Sequence, residues 1–220
     1  MVRLVRETVI VHSRLAWRRV RADAAAERRH GLQTLSIELL AARLAGGFLQ
    51  PTDSDAVKSA IAKAIANDLG DLNSIKELPG FSRAAAATLS KAWAAGLALN
   101  GPPTPELPAA RSRIDAIARL ETEILRHLPP SMRRPADLVA LALSRLHHAR
   151  VLFGRISVEG RTEMSPVWRP LLAALAGVTE VRWVAGPRHV PAWLRDLGIP
   201  IIETAAANPE ILCEPSPRGA

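Results

Sequence analysis

The feature that most restricts the fold is the placement of strand-forming residues. β-branched apolar runs occur near the two ends of the chain and are absent between residues 53 and 147. Thr8 to Val11 and Leu32 to Leu35 are the early runs, and Val151–Val158, Glu180–Val184 and Ile199–Glu203 are the late ones. Strands alternating with helices imply a parallel sheet, because parallel neighbours need a crossover long enough to hold a helix. The expected fold class is therefore α/β, with a parallel sheet assembled from residues 1–52 and 148–205. A large helical insertion over 53–147 interrupts it, and residues 206–220 read as a tail or a truncation.

Helix signals fill the remainder. Arg14 to Arg29 is polar and Arg-rich, with Leu15, Ala16 and Val20 at helical spacing and Gly31 as its terminator. Ser36 is an N-cap for Ile37–Leu44, which Gly46 and Gly47 stop. Asp53 or Ser54 caps a helix with Val57, Ile61 and Ile65 on one face, and Gly80 and Ser82 precede a second helix reaching Leu97. Residues 100–108 hold four prolines and read as an extended connector. Helices follow over Ala110–Leu128 and from Pro135 to His147, then over Pro166–Leu175 and Trp193–Leu197.

Charge points to the kind of partner. Of 29 Lys and Arg only four are Lys, which leaves 25 Arg, and the net charge is +8. Guanidinium offers a planar fork of donors suited to phosphate. A GC-rich gene accounts equally well for Arg over Lys, but the net charge favours a polyanionic partner. The single cysteine, Cys213, excludes an internal disulfide and a cysteine-based metal cage. The opening MVRLVRETVIVHS lacks the apolar stretch of a signal peptide, and no apolar run approaches ~18–20 residues. A cytoplasmic protein is expected.

Four segments carry a family resemblance, in order. VIVHSRLAWRRVRADA resembles the stretch after the second core strand of UvrD-type helicases, where a Ser or Thr meets DNA, and LQTLSIELLAARLAGG resembles their TFHSLCARIL-like stretch. ISVEGRTEMSPVWRPLLAALA is similar to the Walker B strand and its LL-rich helix, and VRWVAGPRHVPAWLRDLG to the VVGDPDQAIYGFRGA segment. With ELPGFSRAAAATLSKAWAAGL, the chain most resembles AddB, the inactive-helicase and nuclease subunit of bacterial double-strand break repair. The resemblance implies the N-terminal part of such a protein: a P-loop-NTPase-like sheet, a UvrD-type core remnant, that binds DNA beside an AddA-like helicase–nuclease subunit.

The departures limit the chemistry. ATP binding in that family needs a GxxxxGK[ST] loop, and the chain has none. The paired Walker B acids become Glu159 and Gly160, so Glu159 reads as a strand-end acid in a turn. Pro187 and Val190 stand where the fourth segment has Asp and Gln. No lysine follows Lys91, which excludes an acid-x-Lys nuclease site in the second half. The expectation is no catalytic residue, no cofactor and no metal, whether or not this is a fragment or a split gene. Adjacent His147 and His148 point about 100° apart on a helix and read as a wet helix end. Trp93, Trp168 and Trp183 read as core, and Trp17 as packing against Arg stems rather than stacking on a base.

The expected nucleic-acid contacts are Ser13 and Arg14 after the first strand and Thr34 and Ser36 at the end of the second, with Arg18 and Arg21 on one helix face. Two alternatives stay open: a protein–protein module without a DNA role, and a helix-hairpin-helix DNA binder at ELPGFSRAAAATL. In the latter, Ser82 stands where the second glycine belongs.

Overall fold

The computed structural model describes residues 6–100, 110–160, 163–185 and 190–203. Strand β1 (Glu7–Ile10) leads into α1 (Arg14–Ala26), and β2 (Leu32–Leu35) into α2 (Ile37–Leu44). A two-residue strand β3 (Gln50–Pro51) precedes α3 (Ser54–Ala64), α4 (Phe81–Ala95) and α5 (Arg111–His127). The chain continues through β4 (Met132–Arg133), α6 (Pro135–Ser144), α7 (Ala149–Phe153) and β5 (Arg155–Glu159). It then forms α8 (Arg169–Val178), β6 (Val181–Ala185), α9 (Ala192–Asp196) and β7 (Ile201–Glu203). Among the described residues no helix is long and apolar enough to cross a membrane.

The strands from both ends share one sheet, as their sequence pattern requires. Its order is β2-β1-β5-β6-β7, and every neighbouring pair is parallel. Counted within the sheet this is 2-1-3-4-5, a doubly wound order whose winding reverses between β1 and β5. Alternation along the strands sends Ile10, Ile156, Val158, Val181 and Trp183 to one face. There they join α2, α6, α8 and α9 in the main core. Trp168 and Trp183 are buried in that core and Trp93 in the helical one.

Three local outcomes differ from the sequence reading. Residues 151–153 are helical in α7, and the strand begins only at Arg155. Gly154, at φ +62°, makes the reversal between them, so the β-branched Val151 is overruled by the turn that follows it. Helix α1 ends at Ala26 rather than near Gly31. Arg29 N–H donates to the Ala24 carbonyl (2.8 Å) and Arg28 N–H to Ala25 (3.2 Å), a Schellman closure that puts Arg28 at φ +53°. The third is the β3–β4 pair, too short to leave a periodic signature. The proline-rich connector, Pro187 and the tail lie outside the described residues.

Helices α3, α4 and α5 bury their own cluster, with Ile61, Leu69, Leu89, Leu120 and Ile124 wholly enclosed. Asp53 caps α3, its Oδ1 accepting from the Asp55 and Ala56 amides. Helix α6 packs instead in the sheet's layer, through Leu138, Val139 and Ala142. One buried carboxylate joins the two layers. Glu121 of α5, 1% exposed, accepts from Trp93 Nε1 of α4 (2.6 Å) and from Arg134 Nη1 at the start of α6 (2.8 Å). Arg134 also grips Asp137 through Nε and Nη2, and this pairing, with Glu121 next, holds its pKa above the ordinary arginine value.

Removing one member of a buried, paired group leaves the others uncompensated. Glu121→Ala should therefore lower unfolding stability by about 3 kcal/mol in urea denaturation. Trp93→Phe, which deletes one neutral donor and spares the Arg134 contact, should cost only about 1–2 kcal/mol.

Candidate functional site

At the carboxyl edge of the sheet two strands turn directly into helices. Val11 N–H donates to the Leu35 carbonyl (2.9 Å), carrying the β1–β2 pairing to the rim. Beyond it Ser13 and Ser36 take extended backbone and cap α1 and α2. Ser13 Oγ accepts from Ala16 N–H (3.1 Å), and Ser36 Oγ from Leu39 N–H (3.3 Å). Both helix N-termini, with their partial positive charge, thus open onto the same edge.

Between them lies a cleft of about 530 Å³, lined by Ser13, Arg14, Arg18, Thr34 and Ser36 together with Val11, His12, Trp17 and Leu39. Five of the six residues expected from sequence to meet phosphate therefore share one cavity. Arg14 and Arg18, four apart on the exposed face of α1, form no side-chain hydrogen bond or ion pair among the described residues. Arg21 does not line the cleft. Its guanidinium carbon sits 4.6 Å from the centre of the Trp17 ring. Trp17 is thus packed against an Arg stem while remaining 38% exposed at the cleft wall. Arg19 points elsewhere, 3.9 Å from Asp23.

The reversal point between β1 and β5 borders this cleft. A side chain at Gly160, φ +64°, would come within 3.7 Å of the His12 ring, so the two strand ends approach closely there. Glu159 ends β5 and accepts from Ser157 Oγ (3.0 Å). Further along the edge Trp193 meets Trp183 edge-on, lies under Arg169 at 4.5 Å and donates to Glu163 (2.7 Å). The sequence reading did not anticipate His12, Leu39 or the Trp193 cluster. The available signal for Leu39 was a leucine three residues after the N-cap Ser36, at the mouth of α2.

Other candidates are placed less favourably. His147 and His148 are exposed on the turn Leu146–His148, with ring centres 3.9 Å apart. Among the described residues no group of three or more His, Cys, Asp or Glu is arranged to hold a metal. At ELPGFSR, Gly80 opens α4 in the left-handed conformation without a side-chain cap. The turn before it, Gly70–Ser74, packs on α5 while α4 packs on α3.

Comparison with protein families and with curated proteins finds no match to this chain. The class defined by fold and site is a doubly wound α/β protein with a cationic cleft at its carboxyl edge.

The two caps are what aim both helix ends into this cleft. Ser13→Ala and Ser36→Ala should each lower stability by about 1 kcal/mol in thermal or urea unfolding, and Ser→Gly by only a few tenths.

Proposed function

We propose that this chain is a non-catalytic DNA-binding and scaffolding module of an AddB-type helicase–nuclease repair complex. The observation that carries the reading is the convergence of Ser13, Arg14, Arg18, Thr34 and Ser36 on one cleft. Two free guanidiniums and two helix N-termini facing one opening suit phosphate oxygens, and Trp17 offers an aromatic surface beside them. Further support comes from topology. The four segments that carry the family resemblance supply the adjacent strands β2, β1, β5 and β6, so the carboxyl ends of those strands fall at one edge. In this reading the sheet is a UvrD-type, P-loop-NTPase-like core remnant without its nucleotide chemistry.

The scaffolding half of the proposal draws on apolar exposure. Leu15 is 77% exposed, Leu39 50% and Phe48 91%, on α1, α2 and the loop after α2. Large apolar side chains left in solvent suit a protein partner, here an AddA-like subunit.

The expected behaviour is weak, sequence-indifferent DNA binding in the ~10⁻⁴–10⁻⁶ M range that fades as salt rises, each phosphate contact adding roughly 0.9 to the log–log slope. Replacing Arg14, Arg18 and Arg21 together by Ala should weaken all duplex sequences alike and flatten that slope in fluorescence anisotropy. Unchanged affinity and slope would put the DNA face elsewhere. Equilibrium dialysis with labelled ATP and Mg²⁺ should show no uptake, and micromolar affinity would overturn the non-catalytic reading.

A further inference from the structure

We propose that the amino-terminal edge of the sheet carries a second phosphodiester-binding cleft, centred on Arg150 with Arg6 and Arg155. It would take the sugar–phosphate backbone of the same nucleic acid. The inference rests on the DNA reading of the opposite edge and extends it to a surface that no resembling segment marks.

The cleft, about 820 Å³, lies between the last turn of α7, the start of β5 and the C-terminal turn of α8. Its geometry is built from Gly154. At φ +62° a Cβ on this residue would stand 2.0 Å from the Arg6 carbonyl oxygen, so only glycine lets the chain before β1 pass so near. Arg155 N–H donates to that same oxygen (3.2 Å), and Thr179 Oγ1 donates to the Gly154 carbonyl (2.5 Å), fastening the end of α8. Arg6 is held in turn, its Nη1 donating to the Val151 carbonyl at 2.8 Å.

The charge in this cleft is available rather than consumed. Arg150 is exposed and has no side-chain hydrogen bond or ion pair among the described residues. Arg6 spends one donor on a neutral carbonyl and keeps its full charge. Among the described residues Arg155 is paired only with Glu180, at 2.9 Å, and both partners are about half exposed, so solvent screens the pair and a phosphate can compete for it. Three guanidiniums face one carboxylate, and the C-terminus of α8 adds roughly half a negative charge, which leaves the cleft cationic.

Shape favours a backbone over a small anion. The three cations line a cleft with an open mouth, and exposed Val151 and Val178 offer apolar wall to a sugar. Strands of four or five residues, at about 3.3 Å each, set the two edges roughly 15 Å apart. That span equals about four or five steps of duplex at roughly 3.4 Å.

Two variants move binding in opposite directions, which a damaged fold cannot imitate. With a labelled duplex of about 20 base pairs near 0.1 M salt, Arg150→Glu should weaken affinity roughly fivefold to tenfold and lower the salt slope by roughly 0.9. Glu180→Gln, which frees Arg155, should strengthen affinity and steepen the slope. If both variants bind as wild type while the Arg14, Arg18 and Arg21 variant is weakened, this cleft is not a DNA contact and the carboxyl-edge reading stands alone. If wild-type protein ignores duplex at low salt but binds poly-glutamate through Arg150, the cleft belongs to an acidic protein partner. In that case both readings fall.

Discussion

A single buried carboxylate ties the helical unit to the sheet. Glu121 is enclosed in apolar surroundings, where an unpaired charge would be strongly unfavourable. It is tolerated because Trp93 and Arg134 approach it from two different elements, and Asp137 holds the far side of the same Arg134 guanidinium in place. Burial makes such a group demanding: its partners must all arrive together or the site costs more than it gives. The position of α4 and α5 relative to α6 is thereby specified, and with it the side of the sheet on which the helical unit lies. The β3–β4 pair, hydrogen-bonded beside it through Gln50 N–H to Ser131 and Thr52 N–H to Arg133, fixes the same junction from the backbone.

With that junction set, the sheet is left with two rims of different chemistry. Its carboxyl rim presents helix N-termini and capping serines, so arginines there add to a field that is already positive. Its amino rim receives helix C-termini, so arginines there first answer carbonyl oxygens, as Arg6 does at Val151. The abundance of Arg over Lys suits both tasks. One guanidinium can satisfy a carbonyl with one nitrogen and keep other donors for a ligand.

Much of this architecture was legible from the chain. Ser36 caps α2 as its sequence signal says, and the apolar runs at both ends pair in one parallel sheet, because caps and alternation act over a few neighbouring residues. The cap role of Ser13 shows only in the structure. What escaped depends on distant partners or on backbone geometry. Residues 151–153 look like a strand until Gly154 reverses the chain, and no local pattern reveals that the Arg6 carbonyl demands glycine there. Arg28 occupies a left-handed position usually left to glycine. Glu121 reads as an ordinary surface acid on a helix, since Trp93 is 28 residues away in the chain. The cleft itself was legible only in part. Its polar members sit next to strand ends, whereas Trp17 and Leu39 enter it through the angle at which α1 and α2 leave the sheet.

The β3–β4 clasp bears on how the chain reaches this state. The central contacts of the sheet are remote in sequence: Thr8 Oγ1 hydrogen-bonds the Phe153 carbonyl across 145 residues. Closing so long a loop is slow, and the entropic penalty grows with the number of free residues it contains. The helical unit, with its two ends pinned side by side at Gln50 and Met132, takes roughly half of that loop out of the search wherever it forms before the sheet closes. The thermodynamic saving is small, about 0.6 kcal/mol for each halving. Its larger effect is on order: the ends of the chain are expected to meet across a bridge already built, with β1 and β5 closing after it, and a lesion in the clasp should show first as delayed refolding.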